Sequence, residues 1–297
     1  MNIQHLKHKE IDYQKWDECI LKSQKPLVYA MSWYLNKVNP KWEALVIGDY
    51  DAVFPLPVNK RFLFKRLLQP PYCQQLGLFI QGVSSINELF SDREIPFKFV
   101  NINVSSLNFR LDNLRITERN NIILPLFHEY EILKANYNSN TRRNLKKATK
   151  AGGDIVANVK PGDVIALKQK TSRFKLCQRQ LDVLNMVLTE SAAKGTAKGY
   201  GLMLDGNLCA YVHFLIFKGR ATMIQSVSDK AGFDSAAMFR LIDQFIQEHA
   251  GSDITLDFEG SMIPGVARFF KGFGSQNESY YNLYRNNIPS IFKLFMK

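Results

Sequence analysis

The chain of 297 residues is 46% hydrophobic and 22% charged, and it carries a formal net charge of +12. Its length allows one large domain or two medium ones with a sizeable core. The sequence lacks an apolar run near the roughly 20 residues of a membrane span, an apolar core in its opening MNIQHLKHKE, and any CxxC among its scattered Cys19, Cys73, Cys177 and Cys209. The expectation is a cytoplasmic protein with buried free thiols and no disulfide or metal site.

The first third reads as mixed α/β. Two apolar runs flank Gly48-Asp49-Tyr50-Asp51 in WEALVIGDYDAVFPLPV, a hairpin signal. Pro70-Pro71 rules out regular helix in QPPYCQQLGLFI. IPFKFVNINV predicts another strand, and NIILPLFHEYEILKANYN leads into the middle of the chain.

The charge is concentrated there. Residues 1–134 hold 17 Lys/Arg against 14 Asp/Glu, residues 135–180 hold 11 against 2, and residues 181–297 hold 11 against 11. A local basic surface fits an anionic partner such as phosphate, nucleic acid or anionic lipid, or else a solvated face. Ser139 or Asn140 can cap a helix from about Thr141. On it Arg142, Arg143, Lys146, Lys147 and Lys150 fall within an arc of roughly 140°, opposite Asn144, Leu145, Ala148 and Ala151. Gly152-Gly153 ends it. Like charges at i,i+3 and i,i+4 repel, and a bound anion relieves that repulsion.

Next come a strand at DIVANVK and a long helical region over about 162–193. Three strands then turn at Asp205-Gly206 and Lys218-Gly219. A helix from Asp234 or Ser235 carries Met238, Leu241, Ile242, Phe245, Ile246 and His249 as one stripe. His213 and His249 read as core or paired histidines. SDITLDF predicts a strand, 263–272 a short helix, and SYYNLYR a last strand. Asp257 and Glu259 share a strand face, with Glu259 at the strand end, where α/β clefts open. Glu259 can line an amine site, cap the 263–272 helix or pair with Arg268. Phe270 and Phe273 read as core, and Gly272 and Gly274 as a tight turn. No Gly-x-Ser-x-Gly or Walker sequence is present.

This element order resembles the GNAT acyltransferase fold, and two segments resemble its FemABX-like branch of peptidoglycan aminoacyltransferases. One is YNSNTRRNLKKATKAG, Tyr137 to Gly152, similar to the family's basic helix. The other is LDFEGSMIPGVARFFKGFG, similar to its Asp-Phe-x-Gly-Ser strand end and Phe-Lys-x-Phe-Gly segment. The match covers about 137–285. A faint echo joins LVIGDYDAVFPLPV and LMLDGNLCAYVHFL, each strand, tight turn, strand.

The resemblance implies an α/β (α+β) chain with two GNAT-like domains in tandem, each a mixed, largely antiparallel sheet flanked by helices, with expected bounds 1–135 and 136–297. It implies transfer of an acyl or aminoacyl group to an amine, with Lys271 near the reacting ester; from their place at the strand end Glu259 and Asp257 are the expected carboxylates of the site, although the family's pattern often has Gly at the position of Glu259. Gln225, Ser226, Ser261, Arg268 and Phe270 follow as cleft residues, and Arg142, Arg143, Lys146 and Lys147 as the anion-binding set. The usual coenzyme A loop, Gln/Arg-x-x-Gly-x-Gly/Ala, matches SVSDKAGFDSAAMF only at Gly232. Asp234 as a cap would occupy the N–H groups that a diphosphate needs. Aminoacyl-tRNA is therefore the expected donor, ahead of acetyl-CoA. The acceptor is a small molecule or cell-wall precursor, and tRNA and an anionic membrane surface are possible partners. A conventional acetyl-CoA-dependent N-acetyltransferase and a non-catalytic binding protein are the alternatives.

Overall fold

The structure, a computed structural model, describes residues 2–61, 64–82, 91–110, 112–157, 159–172, 176–260 and 262–289. The chain forms two compact units. One comprises the residues up to Arg119 and those from Ser279 onward, and the other spans Asn120–Glu278.

The first unit opens with β1 (Ile3–Leu6), α1 (Tyr13–Lys22), α2 (Ser32–Val38), β2 (Glu43–Ile47) and β3 (Ala52–Leu56). It continues with β4 (Val58–Arg61), β5 (Phe64–Leu68), β6 (Phe79–Ile80) and β7 (Phe99–Val104). The predicted hairpin is present: β2 and β3 pair antiparallel around Gly48–Asp51, with Gly48 and Tyr50 at positive φ. They lie in a sheet of order β1-β2-β3-β6. Pro57, which lacks a ladder donor, separates β3 from β4. β4 is antiparallel to β5, and β5 is parallel to β7. Buried Glu43 gathers Lys65, Lys7 and His5 within 3.0 Å. Burial raises its pKa, the three donors outweigh burial, and the carboxyl lies below its usual range.

β8 (Arg115–Pro125) carries the chain into the second unit. There follow α3 (Tyr130–Ala135), α4 (Ser139–Ala151), β9 (Asp154–Val156), α5 (Pro161–Thr171) and α6 (Gln178–Ala193). Next are β10 (Ala197–Leu204), β11 (Asn207–Phe217), β12 (Arg220–Ser228), α7 (Lys230–Asp234) and α8 (Ala237–His249). β13 (Thr255–Asp257) and α9 (Pro264–Lys271) follow, and β14 (Gln276–Asn286) leads back into the first unit at Ser279. The sequence puts a single cut near residue 135, whereas the units divide at 119/120 and again at 278/279. The register gives the reason. Ile123–Pro125 of β8 pair with β13 in the second unit, and Tyr281–Asn286 of β14 pair with β7 in the first.

The strands of the second unit run β8-β13-β12-β11-β10-β9. β12 and β13 are parallel, and the other pairs are antiparallel. Both predicted turns carry positive φ at two successive residues, Asp205-Gly206 and Lys218-Gly219, the backbone that a two-residue hairpin requires. The helical region over 162–193 is two helices, α5 and α6. Of the four thiols, Cys177 is exposed and the other three are buried. No helix among the described residues is long and apolar enough to cross a membrane.

Alternation along β11 separates two layers. Val212 and Phe214 face α8, and Phe214 stacks on Phe245 at 4.1 Å. Leu241, Ile242, Phe245 and Ile246 of the predicted stripe are buried, and each contributes about 1.5–3 kcal/mol over exposure. Tyr130 and Tyr137 both donate to Asp243 at 2.9 Å, tying the α3–α4 segment to α8. On the other face His213 lies between Ser191 Oγ (3.0 Å) and Tyr211 Oη (2.8 Å). Burial pushes its pKa down to about 4, so it is neutral at pH 7.

The unfolded chain binds this proton near pH 6.5 and the folded chain only near pH 4, so stability falls as pH drops through that window. Urea unfolding should show a loss of about 3 kcal/mol attributable to this group. In His213→Gln the slope across pH 6.5 to 4 should be shallower, and an unchanged slope would assign the loss elsewhere.

Candidate active-site cleft

β12 and β13 pair through three residues only, Arg220–Thr222 with Thr255–Asp257. β12 then runs on to Ser228, while the other chain turns away toward α9. Between the His213–Gln225 and Phe214–Met223 pairs, β12 carries one extra residue, Ile224. Such a bulge bends a strand and re-aims the residues beyond it.

A cavity of about 550 Å³ opens beyond the carboxyl end of this parallel pair, where ligands of α/β sheets characteristically bind. Ser228 ends β12 in its wall, followed by Gly232 and Phe233 of α7. Ala236, Met238 and Phe239 form the start of α8. Gly265, Val266, Arg268 and Phe269 form the α9 wall. Asn140, Asn144 and Lys147, at i, i+4 and i+7, present one polar face of α4.

Of the site residues predicted from sequence, Lys147 and Arg268 line this cavity. Ser226 is exposed and shares a strand face with cavity-lining Ser228. Gln225 is turned the other way: it accepts from Lys168 Nζ at 2.6 Å on the α5 side, and burial lowers the Lys168 pKa. Phe270 is core, stacked on Phe258 at 4.8 Å. Ser261 lies outside the described residues. Arg142 and Arg143 are exposed and hydrogen-bond locally, to Ala135 O (3.4 Å) and Asn140 Oδ1 (2.9 Å); Lys146 is exposed beside them.

Lys271 is exposed at the last turn of α9, roughly 140° around the helix from its cavity-lining face. Asp257 is buried, with Arg220 Nε 2.6 Å from its Oδ2, and Arg220 also pairs with Glu278. Burial would lower the Arg220 pKa, but the two carboxylates outweigh it and raise it. Asp257 Oδ1 also accepts the Glu259 N–H at 2.8 Å. Glu259 adopts φ +58° and Gly260 φ +55°. A Cβ on Gly260 would lie 2.3 Å from Asn120 O, so only glycine fits there.

Two helix starts differ from expectation. α4 is capped by Asn138, whose Oδ1 accepts the Thr141 N–H at 2.8 Å, and not by Ser139 or Asn140. Asp234 does not cap α8; it ends α7 and pairs with Lys230 at 2.5 Å. The cap of α7 is Asp229, which accepts from Gly232 N–H and meets Lys170 at 3.2 Å. Ala236, at φ +57°, opens α8 with no side-chain cap. The objection to a phosphate-bearing ligand at this helix start therefore falls. Sequence reasoning also missed the apolar wall of Phe233, Met238, Phe239 and Phe269, because each reads locally as core. The i, i+4, i+7 spacing of Asn140, Asn144 and Lys147 was the available signal. Among the described residues, no His, Cys, Asp and Glu group has the makings of a metal site.

No protein-family model matches the chain, and no curated protein matches it in sequence. In structure it is similar to FemX, at 11% identity over 100% of each chain with a TM-score of 0.65. It is also similar to the C-terminal domain of a putative lysylphosphatidylglycerol synthetase from Agrobacterium fabrum, at 12% identity over 95% of this chain and 93% of that one, TM-score 0.51. A tandem GNAT protein from the clavulanic acid biosynthesis pathway matches at 10% identity over 95% and 98%, TM-score 0.54. The fold is that of tandem GNAT proteins, and FemX shares it along the whole chain.

Glycine relieves the left-handed backbone at residue 259 by about 1 kcal/mol, so Glu259→Gly should raise the urea midpoint. Asp257→Ala leaves Arg220 short of one buried partner and should cost about 3 kcal/mol. A wild-type midpoint for Asp257→Ala would show that the ion pair contributes nothing.

Proposed function

We propose that the chain is an N-acyl or aminoacyltransferase whose activated donor enters the α4–α7–α8–α9 cleft and acylates an amine. The supporting observation is the cleft itself, an apolar recess at the parting of β12 and β13 with Lys147 and Arg268 beside the uncapped start of α8. Helix starts and cations favour the phosphates of a donor. The likeness to FemX and to a putative lysylphosphatidylglycerol synthetase supports the same class and suggests a cell-wall precursor or lipid as the amine-bearing acceptor.

In the reaction the acceptor nitrogen attacks the donor carbonyl carbon. The carbonyl electrons move to oxygen and return to re-form C=O as the ester or thioester bond breaks, and the amine proton passes through a base to the departing tRNA hydroxyl or coenzyme A thiol. By resemblance Lys271 is assigned to the developing oxyanion, and by its place beyond β13 Glu259 to the proton; neither lines the cavity, so these roles require the reacting carbonyl to extend out of the cleft. Asp257 is a positioning residue, holding the Glu259 backbone and Arg220. Arg142, Arg143 and Lys146 are assigned to the phosphates of a charged tRNA. A second reading, a coenzyme A thioester donor, is favoured by the start of α8, which no aspartate occupies.

Calorimetry with acetyl-CoA at low salt tests the thioester donor: single-site micromolar binding selects it, and no heat removes it and makes charged tRNA the next donor to titrate. Lys271→Met should lower transfer at least 100-fold with an unchanged urea midpoint; an unchanged rate removes Lys271 from the mechanism. Gln at Arg142, Arg143 and Lys146 together should flatten the salt dependence of tRNA binding by roughly 2 to 3 logarithmic slope units. An unaltered slope means the basic face is only solvated.

A further inference from the structure

The first unit holds a cavity of its own. Val104, the last residue of β7, forms a parallel bridge with Leu76. Beyond that bridge both segments run into the walls of a recess of about 280 Å³. Leu78, Phe79 and Ile80 follow one side of the bridge, and Ser105, Ser106 and Asn108 follow the other. Ser23, Gln24 and Lys25, just after α1, close the recess. The carboxyl end of a parallel pair is a characteristic place for a ligand. The walls are tied together without one: Ser23 bridges Gln81, whose N–H donates to Asp51 O at 2.9 Å.

Two lining groups can act only as acceptors. Asn108 Nδ2 donates to Leu78 O at 3.2 Å, which fixes the orientation of the amide. Its Oδ1 is buried and accepts nothing among the described residues, and a buried acceptor left unmade is costly. Ser23 Oγ gives its proton to Ile20 O at 2.7 Å, so its lone pairs face a donor. A single water needs about 10–15 Å³, and the recess holds far more than that. No carboxylate is present among the described lining residues, so an ammonium finds no counter-charge there. The charged lining residue is Lys25, which is exposed.

We infer that this recess is a second ligand site, one that takes a small hydroxylated anion. Ligand hydroxyls donate to Asn108 Oδ1 and Ser23 Oγ, and the anionic group lies against Lys25. The volume is below the roughly 300–1,000 Å³ of pockets for drug-sized ligands, so it admits one sugar ring or a short polyol and not a nucleotide. A sugar phosphate and a sugar acid share this chemistry. The inference does not rest on the transferase reading, whose donor and reacting groups are all assigned to the second unit.

The full chain is titrated calorimetrically with glucose 6-phosphate, gluconate, hexyl phosphate and inorganic phosphate. One of the two anionic sugars should bind at a single site, and the tighter of them identifies the anion as phosphate or carboxylate. Hexyl phosphate, which lacks the hydroxyls, and inorganic phosphate should each bind at least about tenfold more weakly than that sugar. Lys25→Gln, at an exposed position, should weaken the anionic sugar at least about tenfold with an unchanged urea midpoint. Asn108→Ala should narrow the gap between the anionic sugar and hexyl phosphate. Lys147→Gln with Arg268→Gln, in the cleft of the second unit, should leave the affinity as it was.

No single-site heat from either anionic sugar overturns the inference, as does equal binding of hexyl phosphate or an unaffected Lys25→Gln chain. Weakened binding in the Lys147 and Arg268 variant would place the ligand in the second unit and overturn it too. None of these measurements reads catalysis. Sugar binding without transfer from any donor would sink the transferase and leave this site standing, and transfer without sugar binding would do the reverse.

Discussion

The cleft depends on a clamp at one end of two strands. Arg220, at the start of β12, reaches Asp257 at the end of β13 and Glu278 at the start of β14. Removing one partner from a buried charge costs far more than the pair contributes net, so this end of the parallel pair is fixed. With three residues locked in register, the rest of β12 can diverge without the strands separating altogether. The bulge at Ile224 acts on the same strand from the β11 side. Clamp, short pairing and bulge together let the sheet open where the helices supply a lining.

The two segments that resemble the FemABX-like branch lie far apart in sequence and touch in the fold. Asn138 N–H donates to Gly272 O at 2.9 Å, just where Asn138 caps α4. A Cβ on Gly272 would lie 2.3 Å from Thr141 Oγ1, and one on Gly274 would lie 2.8 Å from Asn136 Cβ. These glycines seat the start of the basic helix against the end of α9. The Phe-Lys-x-Phe-Gly word thus carries a packing requirement whatever the chemistry of its lysine, and Phe273 completes it by meeting Tyr137 edge to face at 5.4 Å.

Elements governed by local rules were legible in the sequence. The turns at Asp205-Gly206 and Lys218-Gly219, the stripe of α8 and the cap glycine at 152 each follow from neighbouring residues. What escaped was set by distant ones. Asp257 reads as a candidate base until Arg220, 37 positions earlier, is found beside it. Gln225 reads as a cleft residue until Lys168 draws it to the opposite face. An alanine at φ +57° between α7 and α8 has no sequence signal, because left-handed backbone is imposed there by packing and not by residue type. Burial, too, was misjudged where apolar side chains line a recess instead of filling a core.

Asp243 receives two tyrosine hydroxyls on one side of α8, and Met238 and Phe239 enter the cleft less than two turns earlier. The rotation of this helix about its own axis is therefore keyed at one point and read out at another. Each inserted residue turns a helix by about 100°. The stretch from Ala237 to Asp243 can accept exchanges of side chain, but one residue more or fewer would swing the lining aromatics out of the recess while the tyrosine lock held. The spacing of that stretch, more than the identity of its members, sets the shape of what the cleft can admit.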